Sequence, residues 1–155
     1  MAKRQFDLIL FGATGFTGGL TAAYLAAHAP ASLRWALAGR SVRKLAEVKR
    51  RLAQAYPRCE SLGLVQADSF DARALARMAE STQVVISTVG PYIHYAEALL
   101  AACAQRAPHS LHLTGQPAFL AFCPQKYDAV SRSSRARRLN GRDSASHPHV
   151  PADRA

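Results

Sequence analysis

Residues 12 to 18 read GATGFTG, three glycines spaced around what must be a tight turn. The apolar run Phe6–Phe11 leads into it, and apolar residues at helical spacing follow. A glycine-rich turn from strand to helix suits one chemistry in particular. Its backbone can approach a pyrophosphate closely, and the helix behind it aims free N–H groups and the positive end of its dipole at the phosphates. Gly12, Thr14, Gly15, Phe16, Thr17 and Gly18 are therefore candidate phosphate-binding residues, with a purely structural turn as the alternative.

At the end of the next apolar run stand Arg40 and Ser41, followed by Arg43 and Lys44. This is where a dinucleotide site of this kind meets the adenosine ribose. A carboxylate there would hold a free 2′-hydroxyl and repel a 2′-phosphate. A guanidinium with a neighbouring hydroxyl does the reverse, so these residues point to NADP(H) over NAD(H). A solvated basic helix start, with Ser41 only an N-cap, is the other reading.

Asp68 follows a third run and suits either an adenine contact or a turn-forming role. Gly90, Pro91 and Tyr92 end a fourth: the first two would let the backbone pass close to the nicotinamide ribose, and Tyr92 would reach the ring or pack on the sheet. His94, His109 and His112 lack a carboxylate partner at a useful spacing. Cys103 falls on an apolar helix face, which suits core packing. No nucleophile elbow or metal-ligand cluster stands out, so no metal and no catalytic residue is assigned.

Short apolar blocks alternating with amphipathic stretches must position these groups, and that rhythm belongs to repeated β-α units around a parallel sheet. Strands are predicted at Phe6–Phe11, Leu33–Ala38, Leu62–Gln66, Val84–Thr88 and Leu111–Leu113. Phe16, Leu20, Tyr24 and Ala27 mark the first helix by their spacing. Val42, Leu45, Val48 and Leu52 define the inner face of the second. Leu75, Met78 and Ala79 mark a third between Asp71 and Glu80, and Ala96, Leu99, Leu100 and Cys103 a fourth from Tyr95 to Gln105. The expected fold is α/β, a Rossmann-type doubly wound parallel sheet of four to five β-α units, partial relative to a full dinucleotide fold.

That domain is expected to occupy residues 1–128. From 129 to 155 the composition turns to Arg, Ser, Pro and His, and after Ser131 only Leu139 and Val150 are large aliphatics, so a disordered basic tail is expected. The formal charge of +10 is spread widely: residues 1–128 hold 14 Lys and Arg against 8 Asp and Glu, and the tail 6 against 2. With no aromatic interleaving and no recognisable nucleic-acid motif, specific nucleic-acid binding is not expected. Three scattered cysteines indicate neither a zinc site nor a disulfide framework. The apolar run behind the basic N-terminus is too short for a signal peptide or a membrane span. A cytoplasmic location is expected, with a peripheral membrane position left open.

From Phe6 to Asp128 the chain resembles the N-terminal domain of saccharopine dehydrogenase-like oxidoreductases, including the trans-acting enoyl reductases. The resemblance is carried by FDLILFGATGFTG (6–18), WALAGRS (35–41), VGPY (89–92), ACA (102–104), LTG (113–115) and KYD (126–128), and spans about four fifths of the chain. It implies NADP(H) binding through Gly12, Gly15, Gly18 and Arg40. It further implies reduction of a carbon-carbon or carbon-nitrogen double bond, on a lipid-linked or related substrate. The chain departs from the pattern at His112 and Gln116, where the family carries acidic residues. Where the family continues into a second domain, this chain has its Arg- and Ser-rich tail. The expectation is thus a cofactor-binding domain whose substrate half comes from another chain, or a non-catalytic NADP(H)-binding module.

Overall fold

A computed structural model describes residues 4–90, 97–106 and 108–112, with the backbone of 138–140. Its strands are β1 (Phe6–Phe11), β2 (Trp35–Gly39), β3 (Gly63–Gln66), β4 (Thr82–Ser87), β5 (His109–His112) and β6 (Arg138–Asn140). Its helices are α1 (Phe16–His28), α2 (Val42–Ala55), α3 (Ala72–Ser81) and α4 (Glu97–Arg106), with a 3₁₀ segment at Pro57–Ser61. The strands form one sheet in the order β3-β2-β1-β4-β5-β6, and every pairing is parallel. Sequential order therefore reverses between β1 and β4, the point at which ligands of such sheets bind.

The sheet is covered on both faces, as the near-continuous apolar strands require. Leu10 and Leu37 pack with Ala22 and Ala26 of α1 and Leu45, Val48 and Leu52 of α2. Ile9, Phe11, Ala36, Ala38 and Val85 pack on the opposite side with Leu75 and Met78 of α3 and Leu99 and Cys103 of α4. Strand alternation assigns each side chain to one of these two cores.

Local chemistry sets the helix ends. The Ser41 hydroxyl accepts from the Lys44 N–H (3.3 Å), and Asp71 Oδ1 accepts from the N–H groups of Arg73 and Ala74 (3.0 Å each), so each residue satisfies donors left free at a helix start. At the other end of α1, Arg58 donates to the carbonyls of Ala29 (2.8 Å) and Ala26 (2.5 Å). Arg4 ties the chain start to the carbonyls of Thr82 and Arg106.

The expected β-α rhythm holds, but α1 turns its expected face the wrong way. Phe16, Leu20 and Tyr24 are 85%, 59% and 64% exposed, whereas Gly18, Ala22 and Ala26 are buried. The cause is proximity: a Cβ on Gly18 would lie 2.0 Å from the Gly12 carbonyl oxygen. At that separation only small residues fit between α1 and the sheet, and the large ones are forced outward. In α2, Leu45, Val48 and Leu52 face inward as expected while Val42 is half-exposed.

Strand β6 lies within the segment that composition assigns to the tail. Its backbone pairs Ser110 with Arg138 and His112 with Asn140, so the sheet extends past residue 128.

Candidate functional site

All strands being parallel, their C-terminal ends share one edge, and the singled-out segments gather there. Phe11 pairs with Ala38 and with Ser87, placing the turn after β1 between the ends of β2 and β4. Gly12 N–H donates to the Ala38 carbonyl (2.9 Å), and Thr88 N–H and Oγ1 both donate to the Phe11 carbonyl (3.0 and 3.1 Å). Ala67 N–H donates to the Gly39 carbonyl (3.0 Å), which brings the loop after β3 alongside.

The glycines of the turn have different reasons to be glycine. Gly12 has φ +92°, and a Cβ there would sit 2.7 Å from Thr88 Oγ1, so both conformation and space exclude a side chain. Gly18 is excluded by the Gly12 carbonyl. At Gly15 a Cβ would meet nothing closer than that same oxygen at 3.5 Å, an ordinary contact. The protein's own packing does not demand glycine at 15. Space left over an exposed turn is what close approach of a phosphate requires.

Gly15 is the N-cap of α1, no side chain caps that end, and the first turn carries no acidic residue. The leading N–H groups of a helix have no partners within it. Thr14, Gly15, Phe16 and Thr17 are exposed beside them, so an anion can reach this end of the helix. Thr14 Oγ1 also comes within 3.9 Å of where a Cβ would stand at Gly39, joining the turn to the end of β2. The turn, the open helix end and the spare volume at Gly15 fit a pyrophosphate.

Arg40 is exposed immediately beyond β2, and Gln66 Nε2 donates to its carbonyl (3.2 Å). Ser41 is the N-cap of α2, with Arg43 and Lys44 exposed in the first turn. Asp68 Oδ1 accepts from the Phe70 N–H (2.9 Å) and its carbonyl from the Asp71 N–H (3.1 Å), which is the turn-forming role. Between these groups opens a cleft of about 170 Å³ lined by Arg40, Asp68, Ser69, Phe70, Val89 and Gly90. Pro91, Tyr92 and His94 lie outside the described residues. His109 is exposed where β5 begins, at the far edge of the sheet, while His112 is fully buried opposite Ser87.

Phe70 and the supporting role of Thr88 escape notice in the sequence. Thr88 follows an apolar strand with nothing to mark it as the support of Gly12. Phe70 leaves a faint signal, a large aromatic in the polar turn between Asp68 and Asp71. Larger hollows lie elsewhere: one of about 370 Å³ near Trp35 and Cys59 is at the opposite end of the sheet, where Arg34 is bonded to Asp7 and Arg58 to α1. Burial pushes the Cys59 thiol up from its ordinary value, which disfavours the reactive thiolate. Among the described residues no cluster of His, Cys, Asp and Glu could hold a metal ion. No helix among them is long and apolar enough to cross a membrane.

Fold and site together define a dinucleotide-binding domain of the Rossmann type. The profile of the saccharopine dehydrogenase NADP binding domain matches residues 8–144, and the chain belongs to that family, with NADP(H) as its cofactor. The match reaches past residue 128 and includes β6. The chain is 43% identical over 133 residues to the trans-acting enoyl reductase of Mycobacterium tuberculosis, and 41% over 134 residues to that of Mycobacterium leprae. Each alignment covers 86% of this chain but 30% of the relative, so the chain spans just under a third of the length of these proteins. Among solved structures, saccharopine dehydrogenase (L-Glu forming) from Saccharomyces cerevisiae shares the fold with a TM-score of 0.66 at 16% identity, over 88% of this chain and 27% of that one. Triphenylmethane reductase from Citrobacter sp., complexed with NADP(H), follows at 0.63 and 17%, over 86% and 48%.

Proposed function

We propose that this chain is the cofactor-binding domain of an NADP(H)-dependent oxidoreductase of the enoyl-reductase type. One juxtaposition carries the reading: an uncapped helix N-terminus with spare volume at Gly15 lies beside an exposed Arg40 at the end of the neighbouring strand. In this reading Gly12, Thr14, Gly15, Phe16, Thr17 and Gly18 cradle the pyrophosphate. Arg40 grips the 2′-phosphate with paired hydrogen bonds, aided by Ser41. Asp68 fixes the loop beside the adenosine, and Gly90, Pro91 and Tyr92 border the nicotinamide side.

NADPH, when bound, supplies a hydride to an electron-poor double bond, and a proton completes the reduction. The chain's own part is to bind and orient the cofactor at the sheet edge. The names of the mycobacterial relatives support an enoyl group as the acceptor, on a lipid-linked or related substrate. A second domain, carried by a partner or by further sequence, would form the wall over the nicotinamide and exclude water. In this reading the enzyme works in the cytoplasm, free there or peripheral to a membrane.

Calorimetric titration with NADPH and NADH tests the cofactor site. Wild-type chain should bind NADPH at micromolar concentration and NADH far more weakly. Arg40→Ala should weaken NADPH by about tenfold or more, the scale of lost hydrogen bonds to a charged group, and leave NADH nearly unchanged. Equal losses for both nucleotides would remove Arg40 from the 2′-phosphate.

A further inference from the structure

We infer that the outer face formed by α1 and α2 is a docking surface for an anionic membrane. The inference is independent of the NADP(H) reading. Helix α1 contains no Asp, Glu, Lys or Arg, and its outward side is largely apolar. Phe16, Leu20 and Tyr24 recur every four residues along that side and are 85%, 59% and 64% exposed, with Ala23 and Ala27 exposed beside them. A helix that is apolar all round is ordinarily buried all round. A continuous exposed apolar stripe with a polar border marks contact with a protein or a membrane.

The border decides which. Helix α2 packs beside α1 on the same face of the sheet, and its exposed outward residues include Arg43, Lys44, Arg50 and Arg51 against one carboxylate, Glu47. Lys49, Arg50 and Ala53 turn toward a hollow that they line with Glu60 and Leu64. Helical periodicity therefore sets Lys44 and Arg51 on the opposite flank, toward α1. The ion pairs of Arg34 with Asp7 and Arg106 with Glu80 involve neither helix. An occupant of this face must be negative and must also take up an apolar ridge. A second copy of the chain has the wrong sign, because its own cations would meet these across the interface. Nucleic acid offers charge but no apolar depth for Leu20. A protein would need an acidic groove cut to a single helix, whereas the headgroup layer of an anionic bilayer admits Phe, Leu and Tyr without a fixed shape and attracts Lys and Arg. Tyr24 stacks on His28, ring centroids 4.3 Å apart, which steadies an amphipathic ring suited to the boundary between lipid and water.

Cosedimentation of the full chain with lipid vesicles tests this, with circular dichroism recorded on each variant. Wild type should bind vesicles of equimolar phosphatidylcholine and phosphatidylglycerol, and not vesicles of phosphatidylcholine alone. Arg50→Glu combined with Arg51→Glu should weaken binding by about tenfold or more, and Leu20→Ser combined with Tyr24→Ser by a similar factor. Leu20→Trp should shift its emission to the blue on the anionic vesicles, against a constant background from Trp35, which is buried in β2. Absence of binding to the anionic vesicles would overturn the inference. So would binding that survives the loss of Leu20 and Tyr24 undiminished, since that is adsorption by net charge alone. Self-association that disappears in Leu20→Ser with Tyr24→Ser, without vesicle binding, would give the face to a second copy instead. Every arm is read without NADPH, so none of these outcomes bears on the cofactor site.

Discussion

Helices α1 and α2 lie side by side on one face of the sheet and follow opposite rules. In α2 the large apolar residues Leu45, Val48 and Leu52 face inward, and charged residues cover the outside. In α1 the inward positions are Gly18, Ala22 and Ala26, and Phe16, Leu20 and Tyr24 face out. Depth of packing accounts for the contrast. The distance between α2 and the sheet is filled by leucine side chains, whereas α1 is drawn in until its backbone nearly touches the Gly12 carbonyl. That depth places its N-terminus over the turn where phosphates would sit. Helix α1 gives up hydrophobic burial for position, and α2 contributes the stability that α1 cannot.

The strongest way to break this contrast is Gly18→Ala. The new Cβ would sit 2.0 Å from backbone oxygen and 2.9 Å from the Ala13 Cα, with no flexible side chain able to yield. We expect a loss at or above the upper end of the about 1–3 kcal/mol typical of overpacking, and loss of nucleotide binding with it. Urea denaturation measures the first. A variant as stable as wild type would show that α1 can lift off the sheet without harm.

Removing a large side chain should matter in only one of the two helices. Leu45→Ala, at a fully buried position of α2, should cost about 2–5 kcal/mol. Leu20→Ala, the corresponding truncation in α1, should stay within about 0.5 kcal/mol because the side chain is already exposed. Similar midpoint shifts for the pair would mean that the outer stripe of α1 is covered in solution.

Gly15→Ala sharpens the comparison with the least effect on stability. Its Cβ has room, so the denaturation midpoint should barely move, while NADPH affinity should fall by about tenfold or more as the methyl group occupies the phosphate's approach. Undiminished binding would take the pyrophosphate away from this turn. Read together, Gly18 and Gly15 separate a glycine required by packing from one required by a ligand.

Much of the site could be read before folding was considered, because its chemistry is local. Gly12, Gly15 and Gly18 announce themselves by spacing, and Arg40 by standing where a carboxylate would select the other cofactor. Less could be read where contact depends on distant chain. Phe70 carries no motif, and its place in the cleft depends on the loop after β3 being tied to the end of β2. Thr88 matters because β4 lies against β1, 77 positions away in sequence. Composition changes near residue 128 but does not register the backbone pairing of β6 with β5.

Sequence by itself determined the β-α alternation and the glycine turn between β1 and α1, and it carries the proposal that Arg40 grips a 2′-phosphate, since each follows from a residue and its near neighbours. Tertiary structure alone decided which face of α1 is buried. Periodicity reports that apolar residues share one side of a helix, but not how near the helix comes to the sheet. The Gly12 carbonyl sets that distance, and at that distance alanine fits inside and phenylalanine does not.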